Sequence, residues 1–248
     1  MDRLEWPVSK NPVHRPLPPP TIIPLVTLPH QPCSYLPDRL STSRAFLATS
    51  LSPEHYHAFM DAGFRRSGRV IYQPVCDTCR LCVPIRIPVA KFTPSKSQRR
   101  AFRRNQDLTA TVATPEPTDE KFDLYRRYQS EWHGKAEEDR SAFEAFLYES
   151  PVNTLEFCYR DPKGKLLAVG ICDLCRDSLS SVYLYHDPAE SHRSLGTFTA
   201  LFEIEHARAH NIPYWYLGFW VAGCTAMDYK ASFRPHEILH SDGVWRER

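Results

Sequence analysis

The pattern that most restricts the fold lies in the second half of the chain. Three short apolar segments, at 155–159, 166–172 and 182–185, are separated by Asp161-Pro162-Lys163-Gly164 and by Asp177-Ser178. Short runs rich in β-branched and aromatic residues and bounded by turn residues read as consecutive antiparallel strands, so this stretch predicts a β-meander. From 195 to about 210 the apolar residues change period, and Phe198, Leu201, Phe202 and Ile204 share a helical face. A strand at 214–217 follows. Three antiparallel strands, a helix and a further strand predict an α+β sheet with helices packed on it.

Other elements follow from local signals. Ten of the 22 prolines fall between Pro7 and Pro37, which blocks helix there, and residues 1–28 are expected to be a Pro-rich flexible tail. Ser52 and Pro53 open a short helix whose apolar stripe is Tyr56, Phe59 and Met60, with Gly63 ending it. Strands at 70–72 and 83–89 flank a cysteine-rich turn, and a basic helix is expected at about 97–107. Thr118 or Asp119 opens another helix, in which Phe122, Tyr125, Tyr128 and Trp132 should pack inward. With 248 residues and 42% hydrophobic content the chain can bury one large core or two small ones. The expected division is the tail, an N-terminal Cys- and Arg-rich α/β domain at 29–112, and a second domain at 113–248.

Net charge is only +2, too little to identify a partner, but its distribution is uneven. Residues 65–106 hold eleven Lys or Arg and one acid, Asp77, whereas 116–149 hold ten acids and five bases. The N-terminus lacks a signal-peptide core and no run approaches about 18 apolar residues, which predicts a soluble cytoplasmic protein without membrane contact. Its eight cysteines are then expected as thiols or metal ligands rather than disulfides.

Cys76-x-x-Cys79-x-x-Cys82 could aim several thiolates at one ion, with Cys33 as a fourth ligand. Zinc or an iron-sulfur cluster would suit four sulfurs, and unliganded thiols are the alternative. Cys172-x-x-Cys175 is a weaker pair, because residues three apart on a strand face opposite ways. Arg99, Arg100, Arg103 and Arg104 would spread round a helix, which suits contact with a polyanion's backbone; a solvated basic face is the plainer reading. Arg193-Ser194-Leu195-Gly196 sits between a strand and a helix, where backbone N–H groups favour an anion and glycine allows close approach. Acyltransferases of the N-acetyltransferase fold hold their donor's pyrophosphate at the equivalent place. Tyr183-Leu184-Tyr185-His186-Asp187-Pro188 places titratable groups at the mouth of a strand, where a structural turn is the plainer reading, and Lys230 and Arg234 lie among aromatics near the C-terminus.

Several motifs together resemble the arginyl-tRNA:protein transferases and their bacterial relatives. In the first half these are Cys33-Ser34-Tyr35-Leu36-Pro37, Gly63-Phe64-Arg65-Arg66-Ser67-Gly68, the cysteine loop with Val83-Pro84-Ile85-Arg86, and Gln98-Arg99-Arg100. In the second half, Ser180-Ser181-Val182-Tyr183, Asp187-Pro188, Arg193-Ser194-Leu195-Gly196, Tyr216-Leu217-Gly218 and Tyr229-Lys230-Ala231-x-Phe233-Arg234-Pro235 are similar to the family's acetyltransferase-like (GNAT-type) C-terminal domain. Leu36 and the compact length look like the bacterial aspartate/glutamate leucyltransferases. Eukaryotic members carry a second cysteine where Leu36 stands.

The resemblance implies an aminoacyltransferase that moves leucine from Leu-tRNA to proteins with N-terminal Asp or Glu and so marks them for degradation through the N-degron pathway. No cofactor would be needed for that chemistry. It further implies Tyr185 or Asp187 near the acceptor amine, Arg193, Ser194, Gly196 and Lys230 with Arg99, Arg100, Arg103 and Arg104 on the tRNA, and Arg65, Arg66, Arg86 or Arg234 on the acceptor's acidic side chain. Three alternatives stand beside it: an arginyl-tRNA:protein transferase, a metal-stabilised nucleic-acid-binding module without catalysis, and an acetyl-CoA-dependent acetyltransferase. The last would want a second glycine in the 193–196 loop.

Overall fold

A computed structural model of the chain describes residues 22–248; most of the expected tail, 1–21, lies outside the described residues. The first half holds β1 (Val26–Thr27), β2 (Gln31–Pro32), β3 (Leu40–Ser41), β4 (Ser43–Leu47), α1 (Pro53–Asp61), β5 (Arg65–Ser67), β6 (Val70–Pro74), β7 (Cys82–Pro88), α2 (Lys96–Arg104) and β8 (Thr109–Ala113). The second half holds α3 (Asp119–His133), α4 (Arg140–Leu147), β9 (Thr154–Arg160), β10 (Leu166–Leu174), β11 (Ser178–His186), α5 (Leu195–Ala209), β12 (Tyr214–Val221), α6 (Thr225–Asp228), β13 (Glu237–Leu239) and β14 (Trp245–Glu247).

Helix starts follow the side chains that precede them. Ser52, Ser95 and Thr118 each accept a hydrogen bond from a first-turn N–H, and Ser95 with Gln98 completes a reciprocal capping box. The expected meander is present as β9, β10 and β11, paired antiparallel in sequence order. It forms the middle of an eight-stranded sheet ordered β14-β13-β7-β12-β11-β10-β9-β8, so the α+β class holds. A second sheet, β1-β4-β6-β5, stands against it. Among the described residues no helix is long and apolar enough to cross a membrane.

Strand pairing departs from the expected division. The two strands on either side of the cysteine-rich turn do not stay together: β6 joins the small sheet, and β7 joins the large one between β13 and β12. β7 is buried along most of its length because sheet neighbours and core cover it: Ile85 and Ile87 are fully enclosed. The large sheet therefore draws strands from both sides of the expected boundary at 112/113. Val26 and Thr27, which the proline content assigns to the tail, pair with Ala45 and Arg44.

One core, against α5, gathers Phe157, Tyr159, Phe198, Leu201, Ile204 and Trp215. A second lies under α3 and α4, where Tyr125 and Tyr128 are buried as expected; Trp132 instead stays half exposed, stacked on Tyr128 with ring centroids 6.4 Å apart. A third, containing Tyr56, Met60, Phe64, Ile71, Cys175 and Tyr216, fills the space between the sheets. Cys172 on β10 and Cys175, one residue past its end, belong to different cores. Arg66 on β5 makes a bidentate pair with Asp173 on β10 at 2.6 and 2.7 Å, both side chains fully buried, and so fixes the small sheet to the large one.

Candidate active site

The sheet opens at one place. β11 and β12 run parallel and pair only over 178–180 against 214–216, after which β11 continues to His186 and β12 to Val221 without pairing to each other. On its other side β12 stays paired to β7, but the register slips by one residue between Tyr216 and Phe219. Gly218 sits in that bulge at φ 79°, a left-handed conformation that glycine adopts without strain. A tight 3-10 turn, Pro188–Arg193, leads from the end of β11 into α5, so α5 starts at the same end as the opening.

Two cations occupy the bulge. Arg65 donates from Nη2 to the Gly218 carbonyl at 3.2 Å and from Nη1 to the Phe64 carbonyl at 2.8 Å, and its guanidinium lies 5.3 Å from the Tyr216 ring centroid and 5.6 Å from that of Phe219. Lys230 donates from Nζ to the Phe219 carbonyl at 2.9 Å. Arg65 is 6% and Lys230 9% exposed, and among the described residues neither forms an ion pair with a carboxylate; Arg65 Nε is buried with no hydrogen-bond partner. Burial, reinforced by the charge of Arg65, lowers the Lys230 pKa to about 7. Isolated charges are costly to bury, so two together without a counterion make a strongly anion-seeking position.

The other arginines expected at the acceptor divide sharply. Arg66 is consumed by Asp173, as above. Arg86 is held by Glu237 at 2.7 Å and Asp61 at 2.8 Å, and lies between the rings of Tyr214 and Trp245. Both therefore act in the framework. Arg234 is exposed beside the buried Phe233.

Tyr185 and Asp187, expected near the amine, are both enclosed. The Tyr185 hydroxyl lies 3.1 Å from that of Tyr148, which donates to Glu156, itself paired with Lys121. Burial pushes the Tyr185 pKa far up, so it remains a phenol within the core under α3. Asp187 is fully buried, pairs with Arg127 at 3.0 Å and Lys165 at 2.8 Å, and accepts from the Ala189 N–H at the start of the 3-10 turn. Burial opposes its charge, but the hydrogen bonds from Lys165 and Arg127 outweigh this and lower its pKa. A stabilised, occupied carboxylate is a poor proton acceptor; the geometry makes Asp187 the anchor of the turn that aims α5.

Arg193 is likewise engaged, bidentate on Asp107 at 2.9 and 3.1 Å and bonded to Glu190 at 2.9 Å. Ser194 turns the chain into α5 from a left-handed conformation, φ 55°, without capping through its side chain, and Gly196 lies in the first turn with only Leu184 near the position a Cβ would take. What this segment offers is backbone. Helix α2 is packed on α5, and the buried Asn105 ties the two by donating to the carbonyls of Ala101 and Arg193 at 2.8 Å each. Gln98 and Ala101 face inward while Arg99, Arg100, Arg103 and Arg104 are exposed. Arg104 is drawn to the His192 carbonyl and Arg99 to that of Pro94, leaving Arg100 and Arg103 the freest of the four.

Cys33, Cys76, Cys79 and Cys82 line one cavity of about 410 Å³ between the small sheet and β12, shared with Tyr35, Tyr72 and Phe219. All eight cysteines are free thiols. Among the described residues no three His, Cys, Asp or Glu side chains converge on one point, so the four sulfurs as placed do not form a ligand set. Burial, with the neighbouring thiols, pushes Cys82 up to about 12.

One buried acid lies outside the sequence reading. Glu203 falls on the inward face of α5 and is 1% exposed; its carboxylate accepts from Trp215 Nε1 at 3.0 Å and from Cys172 and Ser181, linking β10, β11 and β12 just before the opening. A signal for it exists in the sequence: Glu203 is flanked by Phe202 and Ile204 in the apolar period, where an acid has no place unless it is partnered.

Comparison with known proteins agrees with this architecture. Residues 31–100 match the family described as "Arginine-tRNA-protein transferase, N terminus", and residues 120–240 match "Arginine-tRNA-protein transferase, C terminus". An aspartate/glutamate leucyltransferase of Pseudomonas putida (strain W619) is 44% identical over 222 residues, covering 86% of this chain and 92% of that one. The enzyme of the same name from Nitrosococcus oceani is 44% identical over 223 residues, covering 88% and 92%. Among solved structures, the C-terminal DUF2156 domain of an Agrobacterium fabrum protein superposes with a TM-score of 0.50 at 14% identity, covering 82% of this chain and 65% of that one, a likeness of fold. By extent and identity of sequence, the chain belongs to the aspartate/glutamate leucyltransferase family of aminoacyltransferases.

Proposed function

We propose that the protein transfers leucine from Leu-tRNA to the α-amino group of proteins beginning with Asp or Glu, in the cytoplasm; its relatives are named aspartate/glutamate leucyltransferases. The observation that carries the reading is the seating of the exposed arginines of α2 on α5, beside the opening between β11 and β12. A polyanion lying along α2 would bring its end to the start of α5. The split sheet with a helix beginning at its open end supports an N-acetyltransferase-type second domain, built here to receive an RNA-borne acyl group.

The chemistry asked of the site is modest. The acceptor nitrogen attacks the ester carbonyl, the tRNA ribose oxygen leaves, and the nitrogen gives up a proton. An α-amino group has a reference pKa of about 7.7–8.0, so a useful fraction is already neutral near neutral pH. The protein has to align amine and ester and stabilise the oxyanion, for which free backbone N–H groups at the start of α5 are suited. The step involves no electron transfer and needs no cofactor; a metal at the cysteine cavity would serve structure. Incubation with charged leucyl-tRNA, charged arginyl-tRNA or acetyl-CoA and peptides starting with Asp, Glu or Gly tests the reading. Leucine should appear on the Asp and Glu peptides. Equal labelling of the Gly peptide, or transfer from acetyl-CoA, would refute it.

A further inference from the structure

The cavity that holds the four cysteines is walled by Phe219, behind which lie the two uncompensated cations; neither Arg65 nor Lys230 lines the cavity itself. Phe219 is part of its wall, gives its carbonyl to Lys230, and lies against the Arg65 guanidinium; Tyr72 and Cys82, also in the wall, interact electrostatically with Arg65 and Lys230 respectively. We propose that Arg65 and Lys230 form the subsite that reads the side-chain carboxylate of the acceptor's N-terminal Asp or Glu, approached from this cavity at its Phe219 wall. The proposal rests on the leucyl-transfer reading above and assigns its specificity to two residues.

Three observations favour a carboxylate. First, the framework has acids in supply, and it assigns Asp173 to Arg66, and Asp61 with Glu237 to Arg86, while giving Arg65 and Lys230 only carbonyls. Bringing one anion to the pair would satisfy both cations and relieve their mutual repulsion. Second, the cations are nine-tenths buried, which suits a carboxylate on a short stem; a phosphodiester continues through both its ester oxygens and needs an open groove. Third, exposed arginines suited to phosphates are already present on α2. A cavity of about 410 Å³ falls in the size range of small-ligand sites and can admit the first residue of a peptide. Asn at that residue keeps the shape but leaves the cations uncompensated.

The test uses tRNA-free protein and short peptides that differ only in starting with Asp or Asn, with Kd measured by calorimetry. Wild type should favour the Asp peptide by at least about tenfold, and Lys230→Met should erase most of that preference while Lys230→Arg retains it. Thermal denaturation of the Met variant should show a midpoint no lower than wild type, since a buried, unpaired charge is replaced by an apolar chain of similar length. A second measurement needs no variant: Lys230, faced by Arg65 from β5, Cys82 from β7 and Cys224 after β12, loses its proton above about pH 7 in the free protein, so the Asp/Asn ratio should fall between about pH 6.5 and 9. No Asp preference in wild type, an unchanged ratio in Lys230→Met, or a ratio flat with pH would each overturn the proposal. Reduced tRNA affinity in Lys230→Met with the Asp/Asn ratio intact would overturn it in favour of a phosphate contact. Because peptide binding is read without a donor, an Asp-selective protein that transfers no leucine would refute the transfer reading and leave the subsite standing.

Discussion

Replacing Glu203 by glutamine should stabilise the protein, and by an amount that depends on pH. Burial raises the Glu203 pKa from 4.5 to about 7, against the hydrogen bonds from Trp215, Cys172 and Ser181, which lower it. The sign follows from proton counts. Between pH 4.5 and 7 the folded chain keeps a proton on Glu203 that the unfolded chain has released, so stability is full below about pH 4.5 and is lost as pH rises through 7. At about 1.4 kcal/mol per pH unit the loss comes to about 3 kcal/mol. A glutamine at this position has no such loss, and its side-chain carbonyl can still accept from Trp215. The advantage of Glu203→Gln over wild type should therefore grow by about 2–3 kcal/mol from about pH 5 to pH 8, roughly 4–12 °C in Tm for a chain of this size. Differential scanning of both proteins across that range reads it directly, because every other titrating group is common to the two. An advantage of equal size at both ends of the range would mean that Glu203 is ionised in the core, and the account of its burial would fail.

Two further outcomes follow from the same geometry. Changing Arg100 and Arg103 to Ala, the freest arginines on α2, should flatten the salt dependence of tRNA binding by about 0.7–0.9 per lost contact while turnover at saturating tRNA changes little; an unchanged slope in filter-binding titrations would reduce the run to a solvated basic face. Asp187→Asn should cost about 1–3 kcal/mol in denaturant unfolding, because Arg127 and Lys165 lose their charged partner and the turn before α5 is loosened, yet the folded protein should keep kcat within about tenfold. A fall of about 100-fold or more with unchanged stability would restore Asp187 as the proton acceptor.

The sequence by itself determined what depends on near neighbours along the chain. Ser52 and Thr118 announce α1 and α3 because a cap bonds within three residues of itself, and the meander is legible because turn residues and alternation are local. The motif order that marks the family is local information repeated over the whole chain. Tertiary structure decided which sheet each strand joined: β6 and β7 are separated by seven residues of cysteine-rich loop and pair in different sheets, because backbone donors and acceptors are alike in every strand and pairing is settled by which faces must be buried. It also decided which charges were free. Arg65 and Arg66 are neighbours of the same type on one strand, so their side chains leave opposite faces. One face meets Asp173 on β10, 107 positions along the chain, and the other meets the Gly218 carbonyl and a lysine. Nothing within reach of the dipeptide distinguishes them; only the fold brings an acid to Arg66 and withholds one from Arg65.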